Sequence, residues 1–251
     1  MMNALGFKKV SVVIPVYNEE TDIGESLSRV LNLKPQFLQK FGIEMEVIIV
    51  DDGSSDNTPQ ILKKFESVAK VIRRAKNGGK GAAVREGFKN STGDILFIQD
   101  ADLEYDPSNI FELIVPILEG KADAVYGSRY LNAARVGTLD RTGHMILNFF
   151  MFVTTGFRLS LTDMETCQKV MSAKFIKKLN LYRNSFTIEV ELTLKLFRAG
   201  AHIIELPIGY KRRVIGKKAK IIKDGIKAVL TILLHGVPAL FVSMPTKYEV
   251  K

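Results

Sequence analysis

The stretch MEVIIVDDGSSDNTP, Met45–Pro59, contains the repeating unit of the fold. Its first residues are apolar with too little alternation for a sheet that keeps one face wet. They read as a strand buried on both sides, Met45–Asp52. The run stops at two aspartates and a Gly-Ser-Ser turn, and Asn57 or Thr58 then caps a helix with Pro59 in its first turn. Strand, polar end and helix recur outward in both directions. Val10–Val16 is a strand ending in Tyr17-Asn18-Glu19, and Asp22–Leu33 is a helix with Ile23, Leu27, Val30 and Leu31 on one face. Downstream come a helix over Thr58–Val68, a short strand Lys70–Arg74, a helix Gly81–Asn90, a strand Asp94–Gln99, a helix Ser108–Leu118 and a strand Asp123–Ser128. This alternation predicts an α/β fold, a mostly parallel sheet with helices on both faces. Ligands of such sheets bind beyond the carboxyl ends of the strands. Those ends are polar here: Tyr17–Glu19, Asp51-Asp52, Asp100–Asp102 and Ser128-Arg129. Past Tyr130 the alternation weakens and the chain turns helical and basic.

The chain has 251 residues, 46% of them hydrophobic and 25% charged, which is ordinary globular composition. Its formal net charge of +9 suggests an anionic partner: nucleic acid, a phosphorylated ligand or an anionic membrane surface. A single cysteine, Cys167, rules out an internal disulfide and fits a reducing compartment. No secretory signal and no clean membrane span are expected. Ala228–Met244 is uncharged but interrupted by His235, Gly236 and Pro238, and Met145–Phe157 is shorter still. Each reads equally as a buried helix or as a helix lying in a membrane interface.

The carboxylates of FIQDADLEYDP, Phe97–Pro107, stand out in a basic chain. Like charges this close repel unless a cation lies among them. Continuing the strand, Asp100 and Asp102 face one point, as residues two apart do. Mg²⁺ or Mn²⁺ takes such oxygen ligands and shares them with a diphosphate, with Glu104 as a third ligand. Asp106, before Pro107, reads as a helix cap. In VDDGSSDNT, Asp52 is either a turn residue or an acceptor for a nucleobase or ribose. NGGKGAAVREG, Asn77–Gly87, lacks P-loop spacing; it is either a flexible turn or an anion loop with Lys80 as counter-charge. Lys211–Lys227 carries eight basic residues directly before an apolar stretch, either a solvated face or a lipid-surface signature. His144, His202 and His235 show no ligand spacing, and Cys167 has no evident catalytic partner.

In order, PVYNEE, VDDGSSDNT, NGGKGAAVREG, QDADLEYDP and YGSRY resemble the family-two glycosyltransferases of the GT-A (Rossmann-like) fold. DMETCQKVMSAKFI and FTIEVELTLKLFRAGAHIIELPIGYKRR resemble its dolichyl-phosphate mannose synthase and polyprenyl-phosphate glycosyltransferase branch. The resemblance implies inverting transfer of a hexose from a nucleotide-diphosphate sugar, of GDP-mannose or UDP-glucose type, to a polyprenyl or dolichyl phosphate. It implies that Pro15, Tyr17, Glu19 and Asp52 hold the nucleoside, with Lys80 also on the donor side. Asp100 and Asp102 would bind metal and diphosphate, with Glu104 where the synthases often have Gln. Arg129, with Arg141, would meet the acceptor phosphate, and Arg212 or Arg213 the donor diphosphate. DMETCQKV departs from the Ser-Gly-Phe-Arg-like run of many relatives, so its contacts stay open. The expected organisation is a catalytic domain over 1–215 and a basic, apolar, membrane-interfacial segment over 216–251. The expected location is the cytoplasm, peripheral at the cytoplasmic face of the membrane.

A phosphate monoester is already a nucleophile at neutral pH and needs no strong base. A saccharide hydroxyl would need one, and Glu189 or Glu191 are the candidates for a soluble transferase of that kind. A third reading is a catalytically silent protein that binds nucleic acid or anionic membrane. The chain has no interleaved aromatic and basic surface, which speaks against nucleic acid.

Overall fold

A computed structural model describes residues 3, 5–131, 138–211 and 228–233, residues 138–144 by backbone only. The strands are β1 (Lys9–Val16), β2 (Glu44–Asp51), β3 (Lys70–Arg73), β4 (Ile95–Ile98), β5 (Ala124–Ser128), β6 (Lys169–Ser172) and β7 (Ile203–Pro207). They form one sheet of order β3-β2-β1-β4-β6-β5-β7. β6 runs antiparallel between β4 and β5, and the other pairings are parallel. The central strands are apolar on both faces because helices cover both. Around the sheet lie α1 (Ile23–Phe41), α2 (Thr58–Leu62), α3 (Lys80–Lys89), α4 (Ile110–Leu113), α5 (Val115–Leu118), α6 (Thr138–Thr154), α7 (Ala173–Ile176) and α8 (Ile188–Arg198).

The helix expected over Thr58–Val68 ends at Leu62 and passes into a 3₁₀ turn, Lys63–Phe65, and three further elements depart from the expectations. The first helix does not stop at Leu33 but runs through Pro35 to Phe41. An interior proline costs about 3 kcal/mol. Burial of Phe37 and Phe41, whose rings contact Phe111, offsets it, at about 1.5–3 kcal/mol for a fully buried aromatic side chain. The helix expected over Ser108–Leu118 is broken into a 3₁₀ turn, α4 and α5, with Pro116 in the first turn of α5. β6 is the last departure, a four-residue strand that starts on a lysine.

Two large apolar clusters hold the layers together. One joins β1 and β2 to α1, α4 and α5. The other joins β4, β5 and β6 to α6 and α8 and also takes in Ala228 and Ile232. Residues 228–233 are helical, with Ala228 and Ile232 buried and Leu230 and Leu233 exposed. This piece of the expected interfacial segment therefore packs one face as core. The rest of 216–251 lies outside the described residues. No described helix is long and apolar enough to cross a membrane.

Candidate active site

The loops after β1, β2, β4 and β5 open at the carboxyl edge of the parallel strands. Pro15 lies inside β1 opposite Val50, and Tyr17 beyond it is exposed. Asn18 takes φ 52°, a left-handed conformation that asparagine tolerates. Its side chain accepts the Ser55 N–H at 2.9 Å, and its own N–H donates to Ser54 Oγ at 3.0 Å. The first loop is thereby tied to the Gly-Ser turn. Gly53, at φ 73°, leaves no room for a Cβ, which would lie 2.7 Å from the Lys76 backbone.

Asp52 is buried beneath the glycine loop. Its carboxylate accepts the Gly79 N–H at 2.7 Å and the Gly78 N–H at 3.1 Å, and it pairs with Arg74. At the start of α3, Gly81 N–H donates to Asn184 O at 2.8 Å. A Cβ on Gly79 or Gly81 would run into the carbonyls of Asn184 or Arg183. The glycines therefore serve close packing and carboxylate binding, which corrects the anion-loop reading. Lys80 likewise points inward. Its ammonium donates to Asp100 Oδ1 at 2.7 Å, contacts Cys167 Sγ at 2.9 Å and lies 3.5 Å from Glu189. Burial disfavours its charge, but Asp100, Cys167 and Glu189 together hold its pKa well above the ordinary lysine value. Burial likewise works against the Asp100 carboxylate, and Lys80 holds it below the usual range. Burial pushes the Cys167 thiol well up.

The acidic loop splits its carboxylates. β4 ends at Ile98, so Asp100–Glu104 lie past the strand and the rule of two does not govern them. Asp100 is held by Lys80. Glu104 accepts the Tyr210 hydroxyl at 2.8 Å, and its carbonyl accepts the Lys211 N–H at 2.8 Å. Asp106 accepts the Ser108 N–H at 2.9 Å and caps the 3₁₀ turn as expected. Among the described residues no three His, Cys, Asp or Glu side chains converge as a metal-ligand group, so Asp100, Asp102 and Glu104 do not form the expected trio. Asp102 carries the electrostatic strain. Burial, then the charges of Asp100 and Glu104 and that of Glu19, push its carboxyl up to about 7.

At the end of β5, Arg129 is bound by Asp163. Nε donates to Asp163 Oδ2 and Nη2 to Oδ1, both at 2.7 Å, and the Arg129 N–H donates to Oδ2 at 3.0 Å. The guanidinium lies over the rings of Tyr210, Tyr130 and Tyr105 at 5.4, 5.5 and 6.0 Å. Tyr105 and Tyr210 form a β-bridge, joining this corner to the acidic loop. The side chain of Arg141 and residues Arg212 and Arg213 lie outside the described residues.

Neither glutamate proposed as a base is open. Glu189 pairs with Lys169 and Lys80, and Glu191 accepts the N–H groups of Tyr182 and Arg183 and pairs with Lys195 at 2.6 Å. The loop whose contacts the sequence left open, Asp163–Lys169, proves central. Asp163 holds Arg129, and Cys167 touches Lys80. Gln168 donates to Gln99 Oε1 at 2.7 Å and to Asp106 O at 2.8 Å. Half-buried Glu165 is pushed up to about 7, by burial first, with Arg129 opposing and Asp163 adding to the rise. A sequence signal existed: two acids, Asp163 and Glu165, shortly after the apolar run Met145–Phe157.

The sequence pattern of glycosyl transferase family 2 matches residues 11–179, more than half of the chain. The chain belongs to that family. This family-2 chain is 42% identical over 130 residues to the dolichol-phosphate mannosyltransferase of Pyrococcus furiosus, a match covering 51% of the chain and 35% of that relative. It is 32% identical over 211 residues to the probable glycosyltransferase YdaM of Bacillus subtilis, covering 79% of the chain and 49% of the relative. The matches thus span between a third and a half of those relatives. Among solved structures it resembles the glucosyl-3-phosphoglycerate synthase of Mycobacterium tuberculosis in complex with Mn²⁺, UDP-glucose and phosphoglyceric acid. The TM-score is 0.72 at 19% identity, covering 98% of this chain and 84% of that one. At that identity the likeness is one of fold, the GT-A α/β architecture.

Proposed function

We propose that the chain transfers a hexose from a nucleotide-diphosphate sugar to a polyprenyl phosphate, with inversion. The observation that carries the reading is the corner at the end of β5, where Arg129 is fixed beside the acidic loop while Glu189 and Glu191 are engaged in ion pairs. An arginine suits a phosphate acceptor, whereas a hydroxyl acceptor needs an available base. The Pyrococcus relative is named for the same class of acceptor.

Tyr17 and Glu19 border the donor side. Asp52 acts there through the glycine loop it holds, and Lys80 through Asp100. The residues fit a divalent cation: Asp102 is a half-buried carboxylate in a negative field, an oxygen donor of the kind Mg²⁺ and Mn²⁺ take. Asp102 would hold the ion. When bound, the cation neutralises charge on the leaving diphosphate. Arg129 draws the acceptor phosphate to the carboxyl edge of the sheet. An oxygen of that phosphate attacks the anomeric carbon as the bond to the diphosphate breaks, and the nucleoside diphosphate leaves with the electron pair. Arg141, Arg212 and Arg213 remain candidates for further phosphate contacts.

The lipid would be met at a membrane surface, peripherally and on the cytoplasmic side. Met145, Ile146, Phe149 and Phe157 on and just after α6, with Leu230 and Leu233, are exposed apolar side chains. The basic run Lys211–Lys227 lies close in sequence. In this reading 1–215 is the catalytic domain and 216–251 contributes the membrane contact.

A second reading rests on Glu165. A half-buried carboxyl titrating near neutrality beside Arg129 has the properties of a general base for a saccharide hydroxyl. The test is incubation with a panel of nucleotide sugars, Mn²⁺ and either polyprenyl phosphate or oligosaccharide, followed by lipid extraction. Labelled sugar in the lipid phase supports the first reading, with Arg129→Lys cutting transfer and leaving nucleotide affinity intact. Transfer to saccharide alone, abolished by Glu165→Gln, establishes the second.

A further inference from the structure

We propose that Asp163 is the positioning residue of the acceptor site, fixing which end of Arg129 the acceptor phosphate meets. The inference rests on the lipid-phosphate reading above and concerns a residue in the loop that the family motifs left open. Asp163 is fully buried and Arg129 nearly so, their side chains 0% and 12% exposed. Three bonds converge on the carboxylate: two from the guanidinium and one from the Arg129 backbone. Both ends of the arginine are thus held by one group, and its side-chain torsions are fixed. The Nε–Nη2 edge is consumed by Asp163, leaving the Nη1 end outside that contact, and three tyrosine rings surround the guanidinium.

Asp163 is itself placed by the sheet. Glu205 on β7, in register with Tyr126 of β5, accepts the Thr162 N–H at 2.6 Å and the Asp163 N–H at 2.8 Å. Thr162 Oγ1 also donates to Glu205 at 3.0 Å and is hydrogen-bonded to Ser128 Oγ at 2.6 Å. Ser128 immediately precedes Arg129. The turn at 162–163 is therefore clamped between two neighbouring parallel strands, and the arginine is oriented relative to the sheet, not to a mobile loop. Preorganisation of this kind lowers the ordering cost of binding. An amide at this position keeps the shape but turns a donor towards the guanidinium, so the arginine loses its fixed orientation.

The experiment uses the full chain and has two arms: calorimetric binding of a short-chain polyprenyl phosphate without donor, and steady-state transfer from the active nucleotide sugar. Asp163→Asn, Asp163→Glu, Arg129→Lys and the double variant Asp163→Asn/Arg129→Lys are compared, with nucleotide binding as the check on folding. The expected result is a loss of acceptor affinity of tenfold or more in Asp163→Asn, with nucleotide affinity within about twofold and partial recovery in Asp163→Glu. The double variant should be no worse than Arg129→Lys, because Asp163 acts through that arginine. Unchanged acceptor affinity in a variant that still binds nucleotide overturns the proposal. So does an equal fall in both affinities, which marks a structural role, or additive losses in the double variant. If wild type binds the lipid phosphate and shows the Asp163 dependence but transfers no sugar to it, the positioning role stands and the transfer reading falls. If wild type neither binds nor transfers, both fall.

Discussion

Asp102 is the residue where sequence and structure press hardest on each other. A carboxyl raised from 3.8 to about 7 binds an extra proton in the folded state between those values. Stability of the cation-free protein is then fully present below the unfolded value and is lost as pH rises through the folded one. The expected thermal midpoint falls between about pH 4 and pH 7, and Asp102→Asn flattens that part of the profile. Glu165 adds to the slope with the same sign. Protons and a divalent ion compete for Asp102, so Mn²⁺ should raise the midpoint more at pH 8 than at pH 6. A scanning-calorimetry series with and without Mn²⁺ checks both, and equal Mn²⁺ shifts at the two pH values would remove Asp102 as the ligand.

The division of the acidic loop makes its carboxylates unequal. Asp102→Asn should reduce transfer a hundredfold or more. Glu104→Gln should cost about fivefold or less, since an amide oxygen still accepts the Tyr210 hydroxyl. Asp100→Asn should act mainly on folding, because it weakens the closest ion pair of buried Lys80. Transfer rates paired with unfolding midpoints separate these cases. Comparable loss of transfer in Glu104→Gln and Asp102→Asn, with unchanged midpoints, would restore the three-ligand set.

At the scale of elements, the strand–turn–helix units up to Ser128 were legible because their signal is local: apolar runs, turn residues and caps within about fifteen residues. α1 was cut short because Pro35 is a local stop, whereas Phe37 and Phe41 win through tertiary burial. β6 was invisible because four residues beginning with Lys169 carry no strand pattern, and the lysine is accepted because Glu189, the Thr166 carbonyl and the Tyr126 ring receive it. The site followed the same division. Candidate residues at strand ends were nameable from the rule that ligands bind beyond the carboxyl ends of parallel strands. Asp163, Gln168, Tyr210 and Glu205 were missed because each acts through a partner more than thirty residues away. Glu191 shows how a residue type misleads: its carboxylate caps the 182–183 backbone. Glu191→Gln should destabilise by about 1–3 kcal/mol, the cost of disturbing buried acceptors, and leave both KM values unchanged. Chemical unfolding with parallel kinetics checks this. A drop in kcat of several orders with unchanged stability would make Glu191 the base after all.

For the whole molecule, the placement of charge and apolar surface decides which partners it can meet. A net charge of +9 sits beside an acidic loop that would suit a cation-bound diphosphate, so the excess positive charge is not explained by that loop. Eight of the basic residues fall within Lys211–Lys227, and the exposed apolar side chains of α6 and of residues 228–233 belong to helices packed in one cluster. Met145 and Phe149, one helical turn apart, are each 62% exposed. Such side chains would each contribute up to about 1.5–3 kcal/mol if fully buried in lipid, and each lysine near an anionic surface about 1 kcal/mol. The two contributions predict different behaviour. Met145→Glu/Phe149→Glu should weaken binding to anionic vesicles at low and high salt alike. Lys217, Lys218, Lys220 and Lys223 changed together to Glu should abolish mainly the part that vanishes when salt rises from about 0.1 M to about 1 M. Vesicle flotation of both variants, with nucleotide binding as the folding check, decides the matter. Unchanged flotation of both would refute membrane docking and leave the apolar faces to another partner. Loss of transfer with normal flotation in the lysine variant would move those lysines to the donor diphosphate.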